Sequence, residues 1–273
     1  MVNLIERSDL VEKKLIDLTK IKNLIKDDKN VTLDDIRNAL KEDDIDVSIQ
    51  TVANRLHDLN YDYRYPKDKP LLTQKQKENR LAWCYEKVNY DWNNVVFSDE
   101  TSIWLNTSDK RWICRDDHDY NHVVKHPIKL HVWGYISKSY GSDIFIFKEN
   151  LNSSLYLNIL NDYLIKINDN DMIFQDDNDP KHRSKIVTKW KEDNNIECLN
   201  WPSNSPDLNP IENIWSLLKR KLKRQMITNI VEFEKAIKIC WNNISKKVID
   251  NTINSMNNRI NDLIDANGDV IDY

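Results

Sequence analysis

The chain has 273 residues, 40% hydrophobic and 31% charged, with a net charge of −4; that is enough apolar material for one large domain or two unequal ones, and its acidic balance runs against a generic nucleic-acid binder. Only three glycines occur (Gly134, Gly141 and Gly268), which excludes a P-loop or a G-x-G-x-x-G phosphate cradle. The cysteines, Cys84, Cys114, Cys198 and Cys240, lack C-x-x-C spacing, so zinc-finger and redox motifs are not indicated, and neither an apolar run of about 18 residues nor an apolar N-terminal leader is present.

Residues 10–60 read as three helices. In the first, Leu10, Val11, Leu15, Leu18, Ile21, Leu24 and Ile25 recur at helical spacing. The second, "TLDDIRNAL", opens with Thr32 as N-cap and Asp35 at the capping-box position. The third, "SIQTVANRLHDLNY", has Ser48 as N-cap and an apolar stripe of Ile49, Val52, Ala53, Leu56 and Leu59. Its opposite face carries Gln50, Thr51, Asn54, Arg55 and His57, side chains that reach base edges in a major groove. Two short helices joined by "KEDDIDV" suit a helix-turn-helix as well as a plain helical bundle. We take 1–62 as this DNA-binding domain, 63–91 as a linker with a connecting helix, and 92–273 as a second domain.

From residue 92 strands alternate with helices. "NVVFS" reads as a strand ending at Asp99-Glu100, and "RWICR", "KLHVWGYIS" and "DIFIF" as further strands. "SLYLNILNDYLIKI" is helical, and "MIFQ" is a short buried strand ending at Asp176-Asp177. "HRSKIVTKWKED" reads as a helix with Asp179 as N-cap and Pro180 at its first position. "IECLNWP" reads as a strand, "NPIENIWSLLKRKLKRQ" as a helix, and two more helices are expected over roughly 231–266. This order predicts an α/β domain, a mixed sheet flanked by helices.

Three acidic residues stand out: Asp99, Asp177 and Glu212. Sites in open α/β sheets form beyond the carboxyl ends of strands, so aspartates ending two neighbouring strands can meet, and a glutamate on a covering helix can join them. Adjacent carboxylates repel, and divalent cations with hard oxygen ligands relieve that repulsion. The plainer reading has Asp99 starting a turn, "DDNDP" forming an Asx-turn and Glu212 serving as a capping-box glutamate behind Asn209 and Pro210. Two stretches, 180–191 and 219–224, concentrate basic residues. Lys181, Arg183, Lys185, Lys219, Arg220 and Lys223 are their candidates for phosphate contact, and solvated helix faces are the alternative.

"VVFSDET" (95–101), "FQDDNDPKH" (174–182) and "WPSNSPDLNPIENIW" (201–215), with "HVWGYIS" (131–137) between the first two, closely resemble the DDE transposases of the Tc/mariner superfamily. "WNNIS" and "SMNNRI" are similar to the family's C-terminal tail, so the likeness runs from about residue 31 to the end. The resemblance maps the family's catalytic and metal-binding triad onto Asp99, Asp177 and Glu212, with 34 residues (178–211) between the last two. It implies an RNase H-like catalytic domain behind a small all-α helix-turn-helix domain, two Mg²⁺ or Mn²⁺ ions per site, and cut-and-paste transposition at TA targets. It further implies double-stranded DNA (transposon ends and target) as partner, a homodimer in the active complex and a nuclear location.

The sequence departs from the family in three places. The family's first helix-turn-helix and basic linker have no counterpart before residue 1, which suggests a truncated copy. Asp176 stands where the family often has Gln, adding charge beside the expected metal site, and "KHPIKL" replaces a glycine-rich stretch of a partner-clamping loop that also holds His118, His122 and His126. A catalytically inactive or repurposed transposase that only binds DNA is therefore the alternative, and an RNase H-like nuclease for RNA–DNA hybrids a third reading.

Overall fold

The computed structural model describes residues 18–28, 31–61, 71–105, 128–223, 227 and 229–273. The start of the first helix, the "RWICR" segment and His118, His122 and His126 lie outside the described residues. The chain divides into two compact units, residues 1–68 and 69–273.

The first unit holds α1 (Leu18–Asp27), α2 (Leu33–Lys41) and α3 (Ile49–Asp58). Thr32 caps α2 in a reciprocal box: the Asp35 amide donates to its hydroxyl at 3.2 Å, and its own amide donates to the Asp35 carboxylate at 2.9 Å. Asp44 takes a left-handed φ of 60°, and Asn60 one of 61° after α3. Both are residue types that tolerate this conformation at helix ends. Ile21, Ile36, Leu40 and Val52 form the buried centre.

The second unit opens with α4 (Gln74–Lys87), which packs against α10 (Met256–Asp265) near the end of the chain. Its five strands are β1 (Val95–Trp104), β2 (Lys129–Ser137), β3 (Gly141–Phe147), β4 (Ile173–Gln175) and β5 (Glu197–Cys198). Their spatial order is β3-β2-β1-β4-β5. β1, β2 and β3 pair antiparallel, whereas β1–β4 and β4–β5 are parallel. Helices α5 (Ser153–Ile159) and α6 (Lys185–Asp193), with the segment 160–167, cover one face. The other face carries α7 (Ile211–Leu222), α8 (Ile230–Asn242), α9 (Lys246–Asn254) and α10. Alternation along β1 feeds both cores: Val95 and Phe97 belong to the α7 side, Val96 to the α5–α6 side.

Four local expectations are corrected. β1 does not stop at Asp99-Glu100, because its antiparallel ladder with β2 continues to Trp104↔Lys129; only its parallel pairing with β4 ends early, at Phe97↔Gln175. Asp179 does not cap α6, which starts at Lys185 behind Ser184. The Asp179 carboxylate is occupied by the Lys181 amide at 2.8 Å and the Lys181 ammonium at 2.5 Å. The strand expected at "IECLNWP" is only the two-residue β5. Three helices rather than two close the chain, with breaks at Ser245 and Ser255.

Candidate active site

Asp99 lies on β1 two residues beyond its last partner on β4, so its side chain emerges where the sheet opens. Glu212 sits in the first turn of α7, which packs against β1. Asn209 accepts weakly from the Ile211 amide at 3.4 Å at the start of α7, but Glu212 does not complete a capping box: its carboxyl turns to Asp99. Burial, then the nearby Glu212 and Glu100 charges, push Asp99 well above the ordinary carboxylate range. Burial also raises Glu212, against the opposing pull of Lys219 two turns along the same helix.

Asp99 is held in place from α7. The Trp215 indole N–H donates to its Oδ2 at 3.0 Å. Across the ladder Asp99 faces Gly134, and a Cβ built there would come within 2.7 Å of the Trp215 ring. The approach to α7 is fixed by buried polar contacts. Asn209 donates to the Ser98 carbonyl at 3.2 Å. Fully buried Arg80 of α4 forms a bidentate pair with Asp207 at 2.8 and 2.6 Å and also reaches the Gly268 carbonyl at 3.0 Å. Arg259 of α10 donates to the Asp207 carbonyl at 2.7 Å and to Asn213 at 2.5 Å. Much of "SNSPDLNPIEN" thus consists of residues that orient Glu212.

Asp177 follows β4 by the same two residues by which Asp99 follows the Phe97↔Gln175 pair. Its Oδ1 accepts from His182 Nδ1 at 2.7 Å and from the Asp179 amide at 2.9 Å. Burial acts to raise its pKa, but these hydrogen bonds prevail and hold it below the usual range. His182 is 2% exposed and stacks on Tyr156 with ring centroids 4.0 Å apart. Burial disfavours its charged form, yet its contacts with Asp177 and Glu100 carry its pKa up to about 10. Its Nε2 lies 3.2 Å from Glu100 Oε1, off the line of a hydrogen bond.

The structure therefore brings Asp99 and Glu212 together and puts Asp177 at the matching position past the neighbouring strand, on His182. Among the described residues, no three His, Cys, Asp or Glu side chains already close around a metal-sized point. Asp176 accepts from Tyr156 at 2.9 Å and from Lys191, and its charge acts on both His182 and Glu100, so it adds negative charge on the His182 side of this group. The sequence reading gave no role to His182, Trp215, Arg80, Arg259 or Glu100. The available signal for the arginines was their place on apolar helical stripes, Arg80 before Trp83 and Cys84, and Arg259 between Met256 and Leu263.

Residues 94–234, about half the chain, match a family described as DDE superfamily endonuclease, and residues 19–89 match one described as transposase. The chain is 33% identical to the Tcb2 transposase of Caenorhabditis briggsae over 236 residues, covering 81% of this chain and 86% of that one. The chain belongs to the Tc/mariner superfamily of DDE transposases. The Tc1 transposase of Caenorhabditis elegans is 30% identical over 241 residues, covering 83% of this chain and 88% of the relative. The transposase fold is shared with the mariner Mos1 paired-end complex with Mg, at a TM-score of 0.77 and 20% identity over 95% of this chain and 81% of that one.

The remaining candidate residues of this transposase differ in availability. Ser48 is the N-cap of α3: its hydroxyl accepts from the Thr51 amide at 3.1 Å and lies 2.9 Å from the Thr51 hydroxyl. Gln50 and Asn54 are exposed and hydrogen-bonded to each other at 3.0 Å. Arg55 folds back onto Asp58 at 2.7 Å with its side chain 11% exposed. In the second unit, Lys181 pairs with Asp179, and Arg183 donates to Asn178 at 2.9 Å. Lys185, Arg220 and Lys223 are exposed, whereas Lys219 turns inward toward Glu212.

Proposed function

We propose that this transposase cleaves phosphodiester bonds at transposon ends and joins the released 3′-hydroxyl to target DNA at TA, with Asp99, Asp177 and Glu212 holding two Mg²⁺ or Mn²⁺ ions. The observation that carries this reading is the meeting of Asp99 and Glu212, two carboxyls pushed upward in pKa, with an ionised Asp177 two residues past the neighbouring strand β4. Such a hard-oxygen, mutually repelling set fits divalent cations. Held by Asp99, Asp177 and Glu212, such ions would supply activation of a water or hydroxyl nucleophile and stabilisation of the leaving oxygen.

The chain's own residues prepare that site. Trp215 fixes Asp99, and Arg80 and Arg259 fix the turn that delivers Glu212. Lys219 offsets part of the negative charge facing an incoming phosphate. Lys185, Arg220 and Lys223 are placed to contact the DNA backbone, which gives affinity without sequence choice. Gln50 and Asn54 present the amide groups of the helix-turn-helix to base edges. Paired ends make a homodimer the working form, acting in the nucleus.

The test is divalent-dependent nicking of a duplex carrying the element's own terminal repeat. Cleavage by the wild type and none by Asp177→Asn or Glu212→Gln is the expected result; equal nicking by either variant overturns the triad.

A further inference from the structure

We propose that His182 is a positioning residue that presents one chosen oxygen of Asp177, Oδ2, to the cation. This rests on the reading of Asp177 as a ligand. Two donors converge on Oδ1: His182 Nδ1 at 2.7 Å and the Asp179 amide at 2.9 Å. An ionised carboxylate only accepts, so the ring nitrogen is the donor. Oδ1 is thereby occupied, and in a side chain that is 53% exposed Oδ2 is the oxygen left open to a cation.

The imidazole is a rigid strut. It is 2% exposed, lies flat against the fully buried Tyr156 ring at 4.0 Å, and has its far nitrogen 3.2 Å from Glu100 Oε1. Tyr156 is in turn fixed by its hydroxyl, which donates to Asp176 at 2.9 Å. β4 ends at Gln175, so the backbone ladder no longer orients Asp177. The side-chain contact supplies the orientation that pairing with β1 gives to residues before it. Partners of this kind around a metal ligand typically change affinity about 10- to 100-fold when removed.

The experiment measures Mn²⁺ binding to the full chain by electron paramagnetic resonance, with the thermal unfolding midpoint recorded for each variant. His182→Phe keeps the ring on Tyr156 and removes both donors; it is expected to weaken Mn²⁺ binding about tenfold or more. His182→Asn places an amide donor near the Nδ1 position and is expected to bind within about threefold of wild type, whereas His182→Gln aims its amide at Glu100 and is expected to resemble the Phe variant. Should the Phe variant fail to fold, the Asn–Gln contrast alone decides. Equal Mn²⁺ affinity of the Asn and Gln variants overturns the proposal. Undiminished Mn²⁺ binding by Asp177→Asn overturns instead the assignment of Asp177 as ligand, so the two failures are separable.

Discussion

Gly134 stands opposite Asp99 in the β1–β2 ladder, and the indole of Trp215 occupies the room its missing side chain leaves. The backbone of Gly134 is ordinary strand, so the requirement is for space. Trp215 is 1% exposed and packed against Trp241 at 5.2 Å, and it cannot retreat freely. Gly134→Ala is therefore expected to displace the indole from Asp99. The loss in nicking rate should reach roughly 100-fold, the scale of an ångström-sized misplacement. Trp215→Phe, which keeps a ring and drops the donor, should show a smaller loss in the same assay.

Asp99 also links catalysis to stability. Its carboxyl and that of Glu212 have raised pKa values in the folded chain. Their contribution to stability is present below the ordinary carboxylate pKa and is lost as pH rises through the raised values. At neutral pH the metal-free protein therefore carries a destabilising pair. Asp99→Asn is expected to stabilise it while abolishing nicking. Denaturant unfolding with chelator checks this: the gain should be present at pH 7.5 and vanish near pH 4. Saturating Mg²⁺ should raise the wild-type midpoint and leave the variant unmoved.

Arg80 and Asp207 form an ion pair with side chains 0% and 6% exposed. Removing one partner strands the other charge without water. Asp207→Ala is expected to cost about 3 kcal/mol or more in urea unfolding, with the Arg80 guanidinium left facing only carbonyls and the Ser205 hydroxyl.

The exposed amides and the exposed cations should separate in DNA binding. Gln50→Ala with Asn54→Ala is expected to weaken binding to the terminal repeat by about 1–3 kcal/mol and to leave binding to unrelated duplex unchanged. Arg220→Ala should weaken both alike and lower the slope of log affinity against log salt by about 1. Fluorescence anisotropy across a salt series distinguishes the two.

The meeting of Asp99 and Glu212 was legible because each belongs to a distinctive segment, and the capping of α2 and α3 because Thr32 and Ser48 act within three residues of themselves. The extent of β1 was not legible: residues 99–104 are held by β2, some thirty positions away, and alternate burial only weakly. The start of α6 was hidden because Asp179-Pro180 is an equally good opening for a turn, and Lys181 competes for the carboxylate that would cap. The partners of Asp176 were hidden because Tyr156 lies twenty positions away and Lys191 fifteen, on separate helices. His182, Arg80 and Arg259 act across distances that no local pattern encodes.

Arg80 grips the carbonyl of Gly268, and Arg259 grips the turn that precedes Glu212. Translation must consequently pass Gly268 before Arg80 has all of its buried partners and the turn ahead of Glu212 is clasped from both helices. A polypeptide that stops short of that point carries Asp99 and Asp177 but lacks the contacts that hold Glu212 toward Asp99.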